Sequence, residues 1–220
     1  MDELEGRRFG DLARLTEAVR RVIEATATTG VDAVDLALAA EGAEVIADRL
    51  EARQDADPWA TRTGARTVDL SDPAGFLPLN PVIGRLNPIA PPVELEVVDR
   101  EVRGRARLGT AYVGPPGRVH GGWVAAILDQ VLGLASVAAG HPGMTASLTV
   151  HMRRATPLHS DLTVEARQLS VDGRRSTVWG AIFADGVLTA EAEGVFVLPR
   201  QPHVGGAGVE SGSGSSRAVN

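Results

Sequence analysis

The sequence predicts an α+β fold in which an antiparallel sheet curls round one long apolar helix, with a helical extension in front. Three observations predict it. Residues 93–113 alternate apolar and polar side chains as strands do: Val93, Leu95 and Val97, then Val102, Ala106, Leu108 and Ala111. Trp123 to Ala139 is an apolar run opened by His120-Gly121-Gly122 and stopped by Gly140 and Pro142. Four strand-like segments follow, at roughly 144–154, 160–171, 174–185 and 187–199, and the pairs Asp172-Gly173 and Asp185-Gly186 mark hairpin turns among them. A sheet wrapped on such a helix buries nearly all its faces and leaves a sheet edge that dimerisation can pair.

The elements before this unit read differently. Residues 9–28 and 31–53 carry helix-like spacing, with Leu12, Leu15, Val19, Val22 and Ile23 on one face and Val34, Leu38, Val45 and Ile46 on another. Gly30 separates them, so a helical hairpin is expected over the extension 1–57. Residues 58–92 hold seven prolines, which break any long helix or central strand. The run GFLPLNPVIGRLNPIAPP is too apolar for a free linker, so this segment is expected to cover apolar surface of the main domain, 93–200. Residues 201–220, with GGAGVESGSGSS, read as a disordered tail.

Composition narrows the chemistry. The chain has no cysteine, which removes disulfides, thiolate metal sites and a cysteine nucleophile. Every basic residue is arginine, and residues 1–57 set 14 acidic residues against 7 arginines. An acidic total argues against nucleic acid as a partner, while the nearly neutral main domain can still bind a compact polyanion through clustered arginines. The apolar helix is short for a membrane span and carries Asp129 in its middle, and the first residues lack a signal-peptide run, so a cytoplasmic protein is expected. The histidines lack a metal-binding arrangement, and the sequence has no GxSxG elbow, Walker loop or dinucleotide fingerprint.

The polar residue most out of place is Asp129, within AAILDQVLG. A carboxylate there is either satisfied at the helix surface or retained for chemistry. His120-Gly121-Gly122 leaves backbone N–H groups at a positive helix N-terminus, which is the specification of an oxyanion site, although glycines also serve turns. Gly122 and Asp129 are seven residues apart, about 10 Å along one helix, so one carbonyl cannot sit near both. Two antiparallel helices across a dimer axis would bring them together in two composite sites. Thr145, opening the next strand, could orient Asp129 or a water, and Arg153, Arg154, Arg174 and Arg175 offer phosphate ligands.

HGGWVAAILDQVLG, then MTASLTVHMRRATPL and a DGR turn, resembles the PaaI-type and mitochondrial-type acyl-CoA thioesterases of the hotdog superfamily over about residues 93–199. The resemblance implies a hotdog fold, homodimers or dimers of dimers, and metal-free hydrolysis of an acyl-CoA thioester, with CoA as part of the substrate and no other cofactor. It implies that Asp129 is the active-site carboxylate, His120 and Gly121 the polarising helix entrance, and Thr145 a water-positioning residue. It assigns His151, Arg153 and Arg174 to the CoA portion. Trp123 stands where a small residue is usual, and His151 where asparagine is common, which bears on acyl-chain preference. The expected reaction has Asp129 activating water and the Gly121 and Gly122 N–H groups holding the oxyanion; carboxylate attack through a mixed anhydride is the variant. The alternatives are a non-hydrolytic acyl-CoA-binding protein of the same fold, a docking protein working through its acidic helices, and a hotdog dehydratase or hydratase.

Overall fold

The computed structural model describes residues 3–58 and 69–200. The glycine-rich stretch 201–220 lies outside them. Two long helices, α1 (Glu3–Thr28) and α2 (Ala33–Glu51), come first, and Asp32 caps the second by accepting from the Val34 and Asp35 N–H groups. A four-residue helix α3 (Pro73–Phe76) precedes strands β1 (Val93–Val98) and β2 (Glu101–Ala106). A 3-10 turn (Thr110–Tyr112) leads to the central helix α4 (Gly121–Ala138). Strands β3 (Met144–Met152), β4 (Leu162–Asp172), β5 (Arg175–Ala184) and β6 (Val187–Val197) follow.

The strands form one antiparallel sheet in the order β1-β2-β4-β5-β6-β3. This is the expected hotdog arrangement. The hairpin turns sit at Gly173, Asp185 and Gly186, all with positive φ, the region that Gly and Asp tolerate best. Val124, Ile127, Leu128, Val131, Leu132 and Ala135 of α4 are buried against Val102, Leu162, Val164, Val178, Ile182, Ala192 and Phe196 of the sheet. Helix and sheet approach closely at Leu132. A Cβ at Gly180 would lie 2.6 Å from its side chain, and one at Gly194 3.0 Å, so both strand positions need the missing side chain.

Residues 69–92 lie on the domain with Pro78, Val82, Ile83, Leu86 and Ala90 buried. Asn80 ties this stretch down twice: its Oδ1 accepts from the Val82 and Ile83 N–H groups, and its Nδ2 donates to Gln130 Oε1 of α4 at 2.6 Å. Arg20 of α1 donates to the Gly84 and Asn87 carbonyls at 2.8 and 2.9 Å.

The expected helical hairpin is corrected. Leu12, Leu15 and Val19 of α1 are half-buried, whereas no residue of α2 is buried and Val34, Leu38, Val45 and Ile46 stand 51–69% exposed. Amphipathic spacing shows that a helix has an apolar face, not what lies against it.

Candidate active site

The site is built on the side of α4 that the sheet leaves open. His120 is the N-cap residue of α4. Its Nδ1 accepts the Gly122 N–H at 3.0 Å, so in the neutral ring the proton sits on Nε2, a donor on the far side of the imidazole. This corrects the oxyanion expectation. The Gly122 N–H is occupied, and Trp123 and Val124 donate to the His120 carbonyl. The Gly121 N–H donates to no acceptor among the described residues. The donors at the entrance are therefore Gly121 N–H and His120 Nε2–H. Gly121 is exposed, and a Cβ there would meet only Met152 Cε, at 3.6 Å.

Asp129 follows two turns later. Its Oδ1 accepts the Thr145 hydroxyl at 3.0 Å. Asp129 is half-buried, not enclosed by apolar side chains as the sequence suggested: it lies at the edge of the helix–sheet contact, against Thr145 of β3. Beside it runs β3, a sheet edge whose residues are mostly exposed; Met144 and Met152 at its ends are 70% and 51% exposed. Asp129 and Gly121 remain about 12 Å apart along the helix, so one chain does not bring acid and amide together.

The expected CoA contacts divide into two groups. A bulge between Thr145 and Ser147 reverses the facing of β3, so Thr145 points to α4 while His151, opposite Glu191, lies on the other face of the sheet. Arg153 is engaged on that outer face. Its guanidinium binds Glu191 at 2.8 Å, and Trp179 Nε1 donates to the same carboxylate at 3.1 Å. The Trp179 and Arg153 donors together hold the Glu191 carboxyl below the usual range. Arg174 and Arg175 lie at the opposite end of β3, where Arg175 pairs with Val197 and Val197 with Met144. The two groups are thus roughly 25 Å apart in one chain.

Two arginines lie near the entrance: Arg154, already a phosphate candidate in the sequence, and Arg118, which the sequence reading passed over. Arg154 follows β3 with its N–H on the Thr189 carbonyl, and Arg118 pairs with Pro157 in an isolated bridge just before His120. Both side chains are exposed beside the α4 N-terminus. Their proximity depends on loop pairing across about forty residues, which no local motif encodes. Tyr112 was also passed over: its ring meets Trp123 edge-on, centroids 5.2 Å apart at 87°, and burial pushes its hydroxyl pKa up, with Arg20 opposing and Glu24 adding to the rise. Among the described residues no three His, Asp or Glu cluster as metal ligands would.

Comparison with known proteins agrees with this architecture. Residues 116–190 match the Thioesterase superfamily. A crystal structure of a thioesterase superfamily protein is 40% identical and superposes with a TM-score of 0.72, covering 84% of this chain and 94% of the other. The chain belongs to the thioesterase superfamily. Among individual relatives, acyl-coenzyme A thioesterase THEM4 of Xenopus laevis is 31% identical over 91 residues, 40% of this chain and 41% of that protein. The Mus musculus protein of that name is 33% identical over 98 residues, 43% and 42% of the two chains. The matched region thus spans about two-fifths of the length of either curated relative.

Proposed function

We propose that this protein hydrolyses acyl-CoA thioesters in composite sites formed by two copies of the chain. The observation that carries the reading is Asp129, held by Thr145 on the open face of α4 beside an unpaired strand edge. Pairing β3 with β3 of a second copy removes both edges at once and sets the two α4 helices antiparallel. Asp129 of one subunit then approaches His120 and Gly121 of the partner subunit.

In this arrangement Thr145 donates to Oδ1 and leaves Oδ2 free to take a proton from water. The water oxygen adds to the thioester carbon, and the oxyanion is held by Gly121 N–H and His120 Nε2–H. Collapse breaks the C–S bond, and the CoA sulfur leaves with the proton that Asp129 took. The acid and CoA thiol are the products. Two-fold pairing also carries Arg174 and Arg175 of one chain towards the entrance formed by the other. There Arg154 and Arg118, with no carboxylate partner among the described residues, suit the phosphates of CoA better than Arg153, which Glu191 occupies.

The test is thiol release from acetyl-, octanoyl-, palmitoyl- and benzoyl-CoA by the full chain. Asp129→Ala should lower kcat by about 100-fold or more, with little change in KM. Turnover by that variant at the wild-type rate removes Asp129 from the mechanism.

A further inference from the structure

We infer that Glu24, on the N-terminal helix, is a positioning residue for the α4 entrance and acts through the 3-10 turn Thr110–Tyr112. The inference deepens the thioesterase reading above and rests on it.

The turn begins at Gly109, which has no side chain to cap it. Its leading N–H groups would be orphaned. Glu24 supplies both acceptors from 86 and 87 residues away: Oε1 takes the Thr110 N–H at 2.8 Å and Oε2 the Ala111 N–H at 2.9 Å. A Cβ at Gly109 would lie 2.6 Å from that carboxylate, so glycine leaves room for it. His159 also reaches the turn, its Nε2 lying 3.2 Å from Thr110 Oγ1.

The next residue touches the entrance twice. The Tyr112 carbonyl accepts the His120 N–H at 2.9 Å, and its ring packs edge-on against Trp123 in the first turn of α4. Between them, a Val113–Val119 bridge and a bond from Gly114 N–H to the Arg118 carbonyl at 2.9 Å close a short hairpin. The path from Glu24 to His120 therefore consists of short hydrogen bonds and one ring contact, with no free loop in it. Moving the turn moves His120, and with it the Nε2–H and Gly121 N–H donors. Transition-state donors are sensitive to displacements of this kind, whereas substrate binding along a large CoA surface is not.

The experiment compares wild type, Glu24→Ala and Glu24→Gln as full chains, each with its melting curve, on the acyl-CoA of the panel above that the wild type turns over fastest. Glu24→Ala should lower kcat about tenfold while KM stays within about twofold, with Glu24→Gln, which keeps one acceptor oxygen, in between. In a His120→Ala background the same substitution should cost clearly less than about tenfold in the remaining kcat, since one of the two donors that it positions is gone. A folded Glu24→Ala with wild-type kcat, or a tenfold loss that persists in the His120→Ala background, overturns the inference. If Glu24→Ala does not fold, Glu24→Gln reads the same split. An active wild type with an unaffected variant sinks this inference alone; a wild type that releases no thiol sinks the thioesterase reading as well.

Discussion

Pairing inactive chains measures directly whether the site is shared. Take Asp129→Ala and His120→Ala, each expected to hydrolyse far more slowly than wild type alone. In their heterodimer one composite site lacks both groups, and the other takes Asp129 from one chain and His120 from its partner, so it is intact. A purified heterodimer should then recover about one half of wild-type activity, and a randomly reassorted equal mixture about one quarter. The structure sets this expectation because eight residues of helix separate Asp129 from Gly121, about 12 Å, against the roughly 3 Å that each group needs from the reacting carbonyl. The assay is thiol release after co-expression with two affinity tags and sequential purification. Activity in the verified heterodimer no higher than in the parent variants would refute the shared site. Substantial activity in either parent alone would refute the role assigned to the residue it lacks.

Two further outcomes are expected. Thr145→Val removes the hydroxyl that donates to Asp129 Oδ1 while keeping shape and strand preference; a charge-assisted bond of about 1.5 kcal/mol at this exposed position corresponds to about a tenfold fall in kcat, read in the same assay. Glu24 gives an acid-stability signature. Burial raises its carboxyl pKa, but the Ala111 and Thr110 hydrogen bonds, with His159 nearby, outweigh that and hold it below 4.5. A depressed folded-state value stabilises the fold above 4.5, and that stability is lost as pH falls below it, so between about pH 6 and pH 3 the urea midpoint of wild type should drop more than that of Glu24→Gln. Equal drops would show that the two N–H bonds do not favour the charged form.

The sheet and its helix were legible because their signals are local. Alternation, the two Asp-Gly turns and an apolar run between glycines each commit a short segment to one structure, and the glycines that Leu132 requires agree with it. Asp129, Thr145 and His120 were legible as candidates for a similar reason: a carboxylate in an apolar helix and a histidine-glycine corner are chemically odd wherever they occur. What no local signal carries is facing. Counting from Thr145 to Arg153 by twos puts both on one side of β3, but the bulge after Thr145 adds a residue and sends His151 and Arg153 to the outer side, towards Glu191. The Gly122 N–H was lost to the site through a rotamer, since His120 turns its Nδ1 back onto its own helix.

The exposure of Asp129 has the same origin as its misreading. A helix as apolar as α4 is expected to be enclosed on all sides, yet one sheet encloses only about half of it: eight of its eighteen residues are buried. Around the acid the helix carries Gly122, Ala125 and Ala126, side chains too small to shield a carboxylate. Large apolar residues there would have closed the site within one chain, and polar ones would have suited solvent. Small residues next to an exposed strand edge fit a surface completed by a second copy. On the proposed dimeric reading, a second chain would supply the apolar cover that one chain leaves incomplete.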